Sequence, residues 1–402
     1  MYTKLRSFTS ALIIGAAMAT SAGAQSIDYN DAKWVAMSDR EFAETYAEMA
    51  FSSDLRDREI VAWLLFARAN QLIKDSQGVS GTGRVPEWMA WATDSATFQK
   101  NPSFVFNKTN RADIQRVTDK KVLAGIVSKA DPDGANEEVT RNAISYDYLT
   151  REARLNTYDG VLSYIKAGNS VNMPVGTIEI KASWMEVPEG GSAPEGALTF
   201  KFESGTYWWR GIHIMAKMKP LPRGADLFYS EEPSWFWTTF NFNNNDGASH
   251  VKDSLITQRA PLTKAEISSI LKMGGILDFG FEAYGPMGTQ IGYTANADGK
   301  TPVILGHTDM EDFAGAPNTA QPQYWTSFQS SCHTCHATAA INPATGEYFP
   351  FSVPKGQLTP SYNAPAGDVT AYLGLGYVPL DFMWPIVFHA AKPKKTQTDK
   401  KE

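Results

Sequence analysis

Cys332-His333-Thr334-Cys335-His336 sets the only two cysteines of the chain three residues apart, with a histidine directly after the second. Residues at i, i+3 and i+4 share one face of a helical turn. A helix here would therefore present two thiols and one imidazole on the same side. That set suits two thioether bonds to the vinyl groups of one porphyrin, with His336 as proximal ligand to its iron, the arrangement of a haem c. Three other readings compete. Six histidines in 402 residues put one at a given position by chance roughly one to two times in a hundred. A thioredoxin-like dithiol also uses C-x-x-C, but alternating strands and helices are not evident around the motif. A zinc site of two cysteines and two histidines would need His333 and His336 farther from the cysteines than they are.

The second axial position separates the functional classes. A methionine or histidine there gives a closed iron suited to electron transfer, whereas an open position permits ligand or peroxide chemistry. Met383, downstream of the motif, is the first candidate for a sixth ligand, against a core methionine between Phe382 and Trp384. His389 is the second. His307 and Met310 lie just upstream and could fold back. His213 falls within an apolar run, where a hydrogen-bonded core histidine is the plainer reading. His250 follows Asn243-Asn244-Asn245-Asp246 and reads as a loop residue. His333 would point away from the distal side.

The N-terminus points to the same chemistry. Lys4 and Arg6 precede the apolar run Ala11–Ala17, and Ala22-Gly23-Ala24 offers small residues for cleavage. This is the pattern of a secretory signal peptide over residues 1–24, and a covalently attached haem fits an exported, periplasmic protein. No later stretch reaches spanning length. The formal charge is −6, and loss of Lys4 and Arg6 makes it more negative, which disfavours nucleic acid as a partner.

The elements around the motif read as an α+β chain in several parts. Residues 25–174 are mostly helical. Ser38 and Glu41 form a capping box, and Ile60, Trp63, Leu64 and Ala67 lie on one face of a helix expected over 57–74. Asp131-Pro132-Asp133-Gly134 reads as a polar turn. From about Val175 the period changes to two, and residues 175–313 are expected to form an antiparallel β domain of sandwich or jelly-roll type. Ile178, Ile180, Ala182 and Trp184 should face one way, with Glu179, Lys181 and Ser183 opposite. Leu277, Phe279 and Phe281 are expected to make a fifth strand and Ile291-Gly292-Tyr293 a sixth, with a Thr263/Glu266-capped helix ending at Gly274 before them. Trp208, Trp209, Trp235 and Trp237 lie on strands apolar on both faces, which predicts a second layer against them. Residues 314–391 form a short haem-binding segment of cytochrome c-like character, in which Tyr324, Trp325 and Phe328 suggest a helix and no clear helix follows Met383. A lysine-rich tail, 392–402, reads as disordered.

Ser331-Cys332-x-x-Cys335-His336-x-x-Ala339, Gly211-Ile212-His213-Ile214-Met215, Trp235-Phe236-Trp237-Thr238-Thr239-Phe240, Gly288-Thr289-Gln290 and Met310-Glu311-Asp312-Phe313 together resemble a group of bacterial exported single-haem c-type proteins. In these a large domain precedes a C-terminal haem-attachment motif. The resemblance covers roughly residues 175 to 390, and its specific part is the haem motif. It implies one haem c and export, and it does not fix a reaction. The expectation is an exported monohaem cytochrome passing single electrons to or from a redox partner protein. The alternative is a haem-dependent oxidoreductase or small-ligand sensor, with a small-molecule substrate at an open distal site.

Overall fold

A computed structural model of the chain describes residues 31–106, 136–221, 234–242, 260–292, 305, 315–317, 325–328, 332–349 and 375–390. The expected signal peptide, the polar turn at Asp131, the lysine-rich tail, His250, His307 and Met310 lie outside the described residues. Among the described residues no helix is long and apolar enough to cross a membrane. The fold is α+β, with helices and antiparallel sheets.

One seven-stranded antiparallel sheet organises the molecule. A hairpin of β1 (Leu72–Lys74) and β2 (Arg84–Pro86) stands apart from it. The large sheet contains β3 (Ala92–Thr93), β4 (Asn136–Arg141), β5 (Ile178–Glu186), β6 (Thr199–Phe202), β7 (Gly205–Lys217), β8 (Trp235–Phe242) and β9 (Tyr284–Gln290). Its order is β3-β4-β5-β7-β8-β9, with β6 paired to the start of β7. The alternation in β5 is as expected. Ile178, Ile180, Ala182 and Trp184 enter one core, and Glu179, Lys181 and Ser183 take the opposite face. In β7 the alternation is re-phased once. Ser183 pairs with Gly211 while Trp184 pairs with Trp209, so Arg210 is an extra residue. This β-bulge turns Trp209 and Tyr207 onto the same side as Ile212 and Ile214.

The first face of the sheet is covered by the Leu55–Ala69 helix, which Asp54 caps by accepting from the Arg56 amide. Phe66 of this helix stacks on Phe240, with ring centroids 4.2 Å apart, and meets Trp63, Trp209 and Phe281. The Lys264–Met273 helix lies beside it and carries both halves of the expected Thr263/Glu266 capping box. The Ser38/Glu41 box is likewise formed. A second apolar cluster lies on the other face, where Met215, Trp235 and Trp237 meet Cys332, Ile341, Leu380, Met383 and Ile386.

Several expectations need correction. The strands of the large sheet are covered by a helix on their first face, and among the described residues no second large sheet makes a sandwich. The division at residue 174 cuts through this sheet, because β3 and β4 come from the region read as helical. The Leu55–Ala69 helix stops before Lys74, and Leu72–Lys74 is extended. Leu277, Phe279 and Phe281 are not a strand. Gly280 takes a left-handed φ of 91°, Phe281–Ala283 is a 3-10 turn, and β9 follows it. Trp325–Phe328 is β11, paired with β10 (Gly315–Pro317), where a helix was expected. Beyond the motif, β12 (Ala340–Asn342) is flanked by β13 (Glu347–Tyr348) and β14 (Val378–Pro379). A helix does follow Met383, over Trp384–His389. It is too short to show a period, and Pro385 sits in its first turn, where the missing N–H costs nothing.

Candidate functional site

Cys332–His336 is one turn of α-helix, so Cys332, Cys335 and His336 stand at i, i+3 and i+4 on it. Cys332 is buried, its thiol donating to the Leu305 carbonyl at 3.6 Å, and Cys335 is half-buried. Neither forms a disulfide. The turn is fastened to the sheet at its N-terminal end, where the His333 amide donates to Gln290 Oε1 of β9 at 3.0 Å. The C-terminal end is fastened through the Cys335 carbonyl. It accepts from the Thr338 amide, Thr338 Oγ1 and Trp384 Nε1 at 3.2, 2.7 and 3.0 Å. These donors satisfy a carbonyl that a helix end leaves without an intrahelical partner.

A hydrogen bond to the backbone orients the His336 ring. Its Nδ1 lies 2.7 Å from the Phe382 carbonyl oxygen. A carbonyl only accepts, so Nδ1 carries the proton, and in the neutral ring the lone pair resides on Nε2. Trp237 of β8 packs against this ring at 6.0 Å and against His333 at 5.0 Å, while Phe382 lies 4.6 Å from His333. Burial lowers the pKa of His333 to about 3, with His336 and Lys217 pushing the same way. His333 is thus a neutral packing residue at ordinary pH.

The carbonyl that meets His336 belongs to an unusual turn. Asp381 and Phe382 are consecutive left-handed residues, with φ of 49° and 67°. A bulky residue there is strained. Such conformations cost on the order of 1–3 kcal/mol each and persist where neighbours dictate them. Here the Asp381 carboxylate accepts from Lys217 Nζ at 2.9 Å, Trp235 Nε1 at 2.9 Å and the Met173 amide at 2.6 Å. Lys217 and Trp235 are cross-strand partners on β7 and β8. The sheet thereby holds the turn, and the turn presents the Phe382 carbonyl.

The other predicted residues are dispersed. Met383 is fully buried directly after Phe382 and caps the Trp384–His389 helix. His389 Nε2 pairs with Asp94 Oδ2 at 3.0 Å, its ring stacked on Phe98. His213 is buried on the same sheet face as Trp237, one strand pair along, with Nδ1 2.7 Å from Thr239 Oγ1. Among the described residues no group of three or more His, Cys, Asp or Glu side chains converges as a metal cluster would. Sequence reasoning missed Lys217, Asp381 and Gln290, which are separated from the motif along the chain. Gln290 stands in one of the segments that carry the resemblance, but nothing in the sequence marks it as a contact of His333. Comparison of the chain with models of known protein families, with curated proteins and with solved structures finds no match.

Proposed function

We propose that this protein is an exported, periplasmic c-type protein carrying one haem. Cys332 and Cys335 would hold it through thioethers, His336 would bind the iron through Nε2, and the protein would pass single electrons to or from a redox partner. When bound, the haem supplies the ferric–ferrous couple. The observation that carries this reading is the His336 Nδ1–Phe382 carbonyl bond. Metal-binding histidines characteristically donate their other ring N–H to a carbonyl or carboxylate, which fixes the tautomer and makes the ligand more basic. A Cys-x-x-Cys turn that served only as a dithiol would have no use for an imidazole oriented in this way. The spacing of the two thiols and the imidazole on one helical turn fits a single macrocycle.

One observation favours the second reading, an oxidoreductase or ligand sensor with an open distal position. The Phe382 carbonyl meets His336 at Nδ1, so the chain enters Met383 from the Nδ1 side of the ring and not from the side of Nε2, which would hold the iron. That geometry argues against Met383 as sixth ligand. His389 is engaged with Asp94. His213, on the Trp237 face of the sheet, remains a residue that could assist proton transfer.

The test is production of the full chain in a host with working cytochrome-maturation machinery. An intact mass raised by one haem, lost in Cys332→Ala/Cys335→Ala, is the expected result. A colourless protein with the mass of the bare polypeptide overturns the proposal. Carbon monoxide added to the ferrous protein then separates the readings, since rapid binding marks the open position. Met383→Ala should leave the ferric spectrum unchanged.

A further inference from the structure

Resting on the haem reading, we infer that the buried Lys217–Asp381 ion pair is a positioning device for the axial imidazole, through which the large sheet sets the direction and basicity of His336. Neither residue touches the cysteines or His336 in the contacts described above. Both act through the Phe382 carbonyl.

The argument begins with the backbone. Two successive non-glycine residues at positive φ are not a conformation the chain adopts by preference. Around the turn, the Leu380 amide donates to the Ala339 carbonyl at 2.8 Å and the Met383 amide donates to the Leu380 carbonyl at 3.0 Å. These bonds close the loop on itself and on the motif segment, but they do not tie it to the sheet. The hydrogen-bonded tie to the sheet is the Asp381 carboxylate, whose donors come from β7, β8 and the Met173 backbone, and it adds direction to the packing of the Phe382 ring on Trp237 at 5.6 Å. Lys217 and Asp381 side chains are 5% and 10% exposed, so the pair is shielded from the solvent that weakens surface ion pairs. Lys217 also lies over the Trp235 ring at 5.0 Å. A buried pair of this kind is weak evidence for stability, and its best-attested use is to fix one geometry among several. The geometry fixed here ends at His336 Nδ1.

The consequence is chemical. A firmly held acceptor on Nδ1–H makes the imidazole more basic, and a more basic ligand favours the more highly charged ferric iron. Loosening the turn should therefore disfavour the ferric state and let the ring sample the other tautomer.

The test uses the full chain with selectively 15N-labelled histidine, in haem-free form and after haem loading. In the haem-free wild type, His336 should show one tautomer, protonated at Nδ1. Asp381→Asn should show both. Because Asp381→Asn leaves Lys217 buried without its counter-charge and could fail to fold, the second variant is Lys217→Met/Asp381→Gly. It removes both charges and gives the left-handed position a residue that adopts it freely. It should fold and behave as Asp381→Asn does, while Lys217→Arg should keep the wild-type tautomer. In the loaded protein either disruptive variant should lower the preference for ferric iron about tenfold, a rise in midpoint potential of about 59 mV for one electron. Folded variants with wild-type tautomer and wild-type potential overturn the inference and leave the haem reading standing. A wild type that takes up no covalent haem overturns the haem reading, and the haem-free tautomer still decides whether the ion pair orients His336.

Discussion

The two faces of the large sheet are built from the same strands, each against an apolar cluster, and differ in how many buried polar groups they carry. On one, Ile180, Ile212, Ile214, Phe236 and Phe240 share an apolar core with the Leu55–Ala69 helix, and Phe240 stacks on its Phe66. On the other, alternate residues of the same strands are Arg141, Glu179, His213, Lys217 and Thr239, interspersed with Trp235 and Trp237. The first face gains its stability from apolar area removed from water, a non-directional effect. The second gains its geometry from directional bonds between buried polar groups, each costly unless paired. The Cys332–His336 turn sits on this more polar side, where an apolar cluster around Met215, Trp235 and Trp237 supplies packing and the directional bonds specify orientation.

This division makes a strong prediction about independence. Phe66 is fully buried and ringed by Trp63, Trp209, Phe240 and Phe281. Phe66→Ala should cost about 3–5 kcal/mol in urea unfolding. The folded variant should nonetheless keep the His336 tautomer and, once loaded, the wild-type potential. Combined with Lys217→Met, its cost should add to within about 0.5 kcal/mol, as for sites that share no partners. A large coupling would show that the faces are not separate.

The polar face holds a second buried cluster that tests how directional its bonds are. Arg141 pairs with Asp94 and, at 3.0 Å, with Glu179, while His389 joins Asp94 from the C-terminal helix. Two carboxylates share one guanidinium, and their pKa values move apart. For Asp94, burial alone would raise the pKa, but Arg141 and then His389 outweigh it and hold it below its usual 3.8. For Glu179, burial dominates and Arg141 offsets it only in part, leaving it above its usual 4.5. The signs follow by linkage. The contribution of Asp94 is present above pH 3.8 and is lost as pH falls through its depressed folded pKa. That of Glu179 is present below pH 4.5 and is lost as pH rises through its raised one. Asp94→Asn should therefore cost about 1–3 kcal/mol at pH 7, with the deficit shrinking in acid below pH 3.8. Glu179→Gln, which resembles the protonated acid, should cost less at pH 7 than Asp94→Asn. The reverse order in unfolding at pH 7 would overturn the assignment.

Much of the fold could be read from the sequence, because it rests on local signals. Ser38 with Glu41 and Thr263 with Glu266 are complete capping boxes, and Ile178–Trp184 alternates as a strand must. The β9 strand was misplaced because the regular alternation of Leu277, Phe279 and Phe281 lies in a turn. Tyr284–Gln290 carries Gly285, Pro286 and Gly288, which propensity counts against a strand. Arg210 could not be read as a bulge, since its effect depends on which residue of β5 it fails to pair with. In the candidate site, Cys332, Cys335 and His336 were legible as five contiguous residues. The Lys217–Asp381 pair was not, because its members are 164 residues apart and an isolated lysine or aspartate carries no mark of burial. Met383 is a candidate by residue type alone, whereas the group beside it that meets His336 is the backbone carbonyl of Phe382, which no side-chain pattern encodes.

The finest test of the comparison lies in two adjacent threonines. Thr238 and Thr239 are neighbours on β8, both fully buried, and successive strand residues point to opposite faces. On the apolar side, Thr238 Oγ1 donates to the Gly288 carbonyl at 3.0 Å. On the polar side, Thr239 Oγ1 is 2.7 Å from His213 Nδ1. Valine replaces either hydroxyl with a methyl of similar size. A carbonyl has two lone pairs and tolerates the loss of one donor, so Thr238→Val should cost about 0.5 kcal/mol, the low end for a neutral hydrogen bond. Thr239→Val takes a hydrogen bond from a buried imidazole and should cost about 1 kcal/mol. It should also shift the His213 ring resonances, which Thr238→Val should leave in place. Equal costs for the two variants would mean that the polar face is held by packing, as its opposite is, and that its hydrogen bonds do not set its geometry.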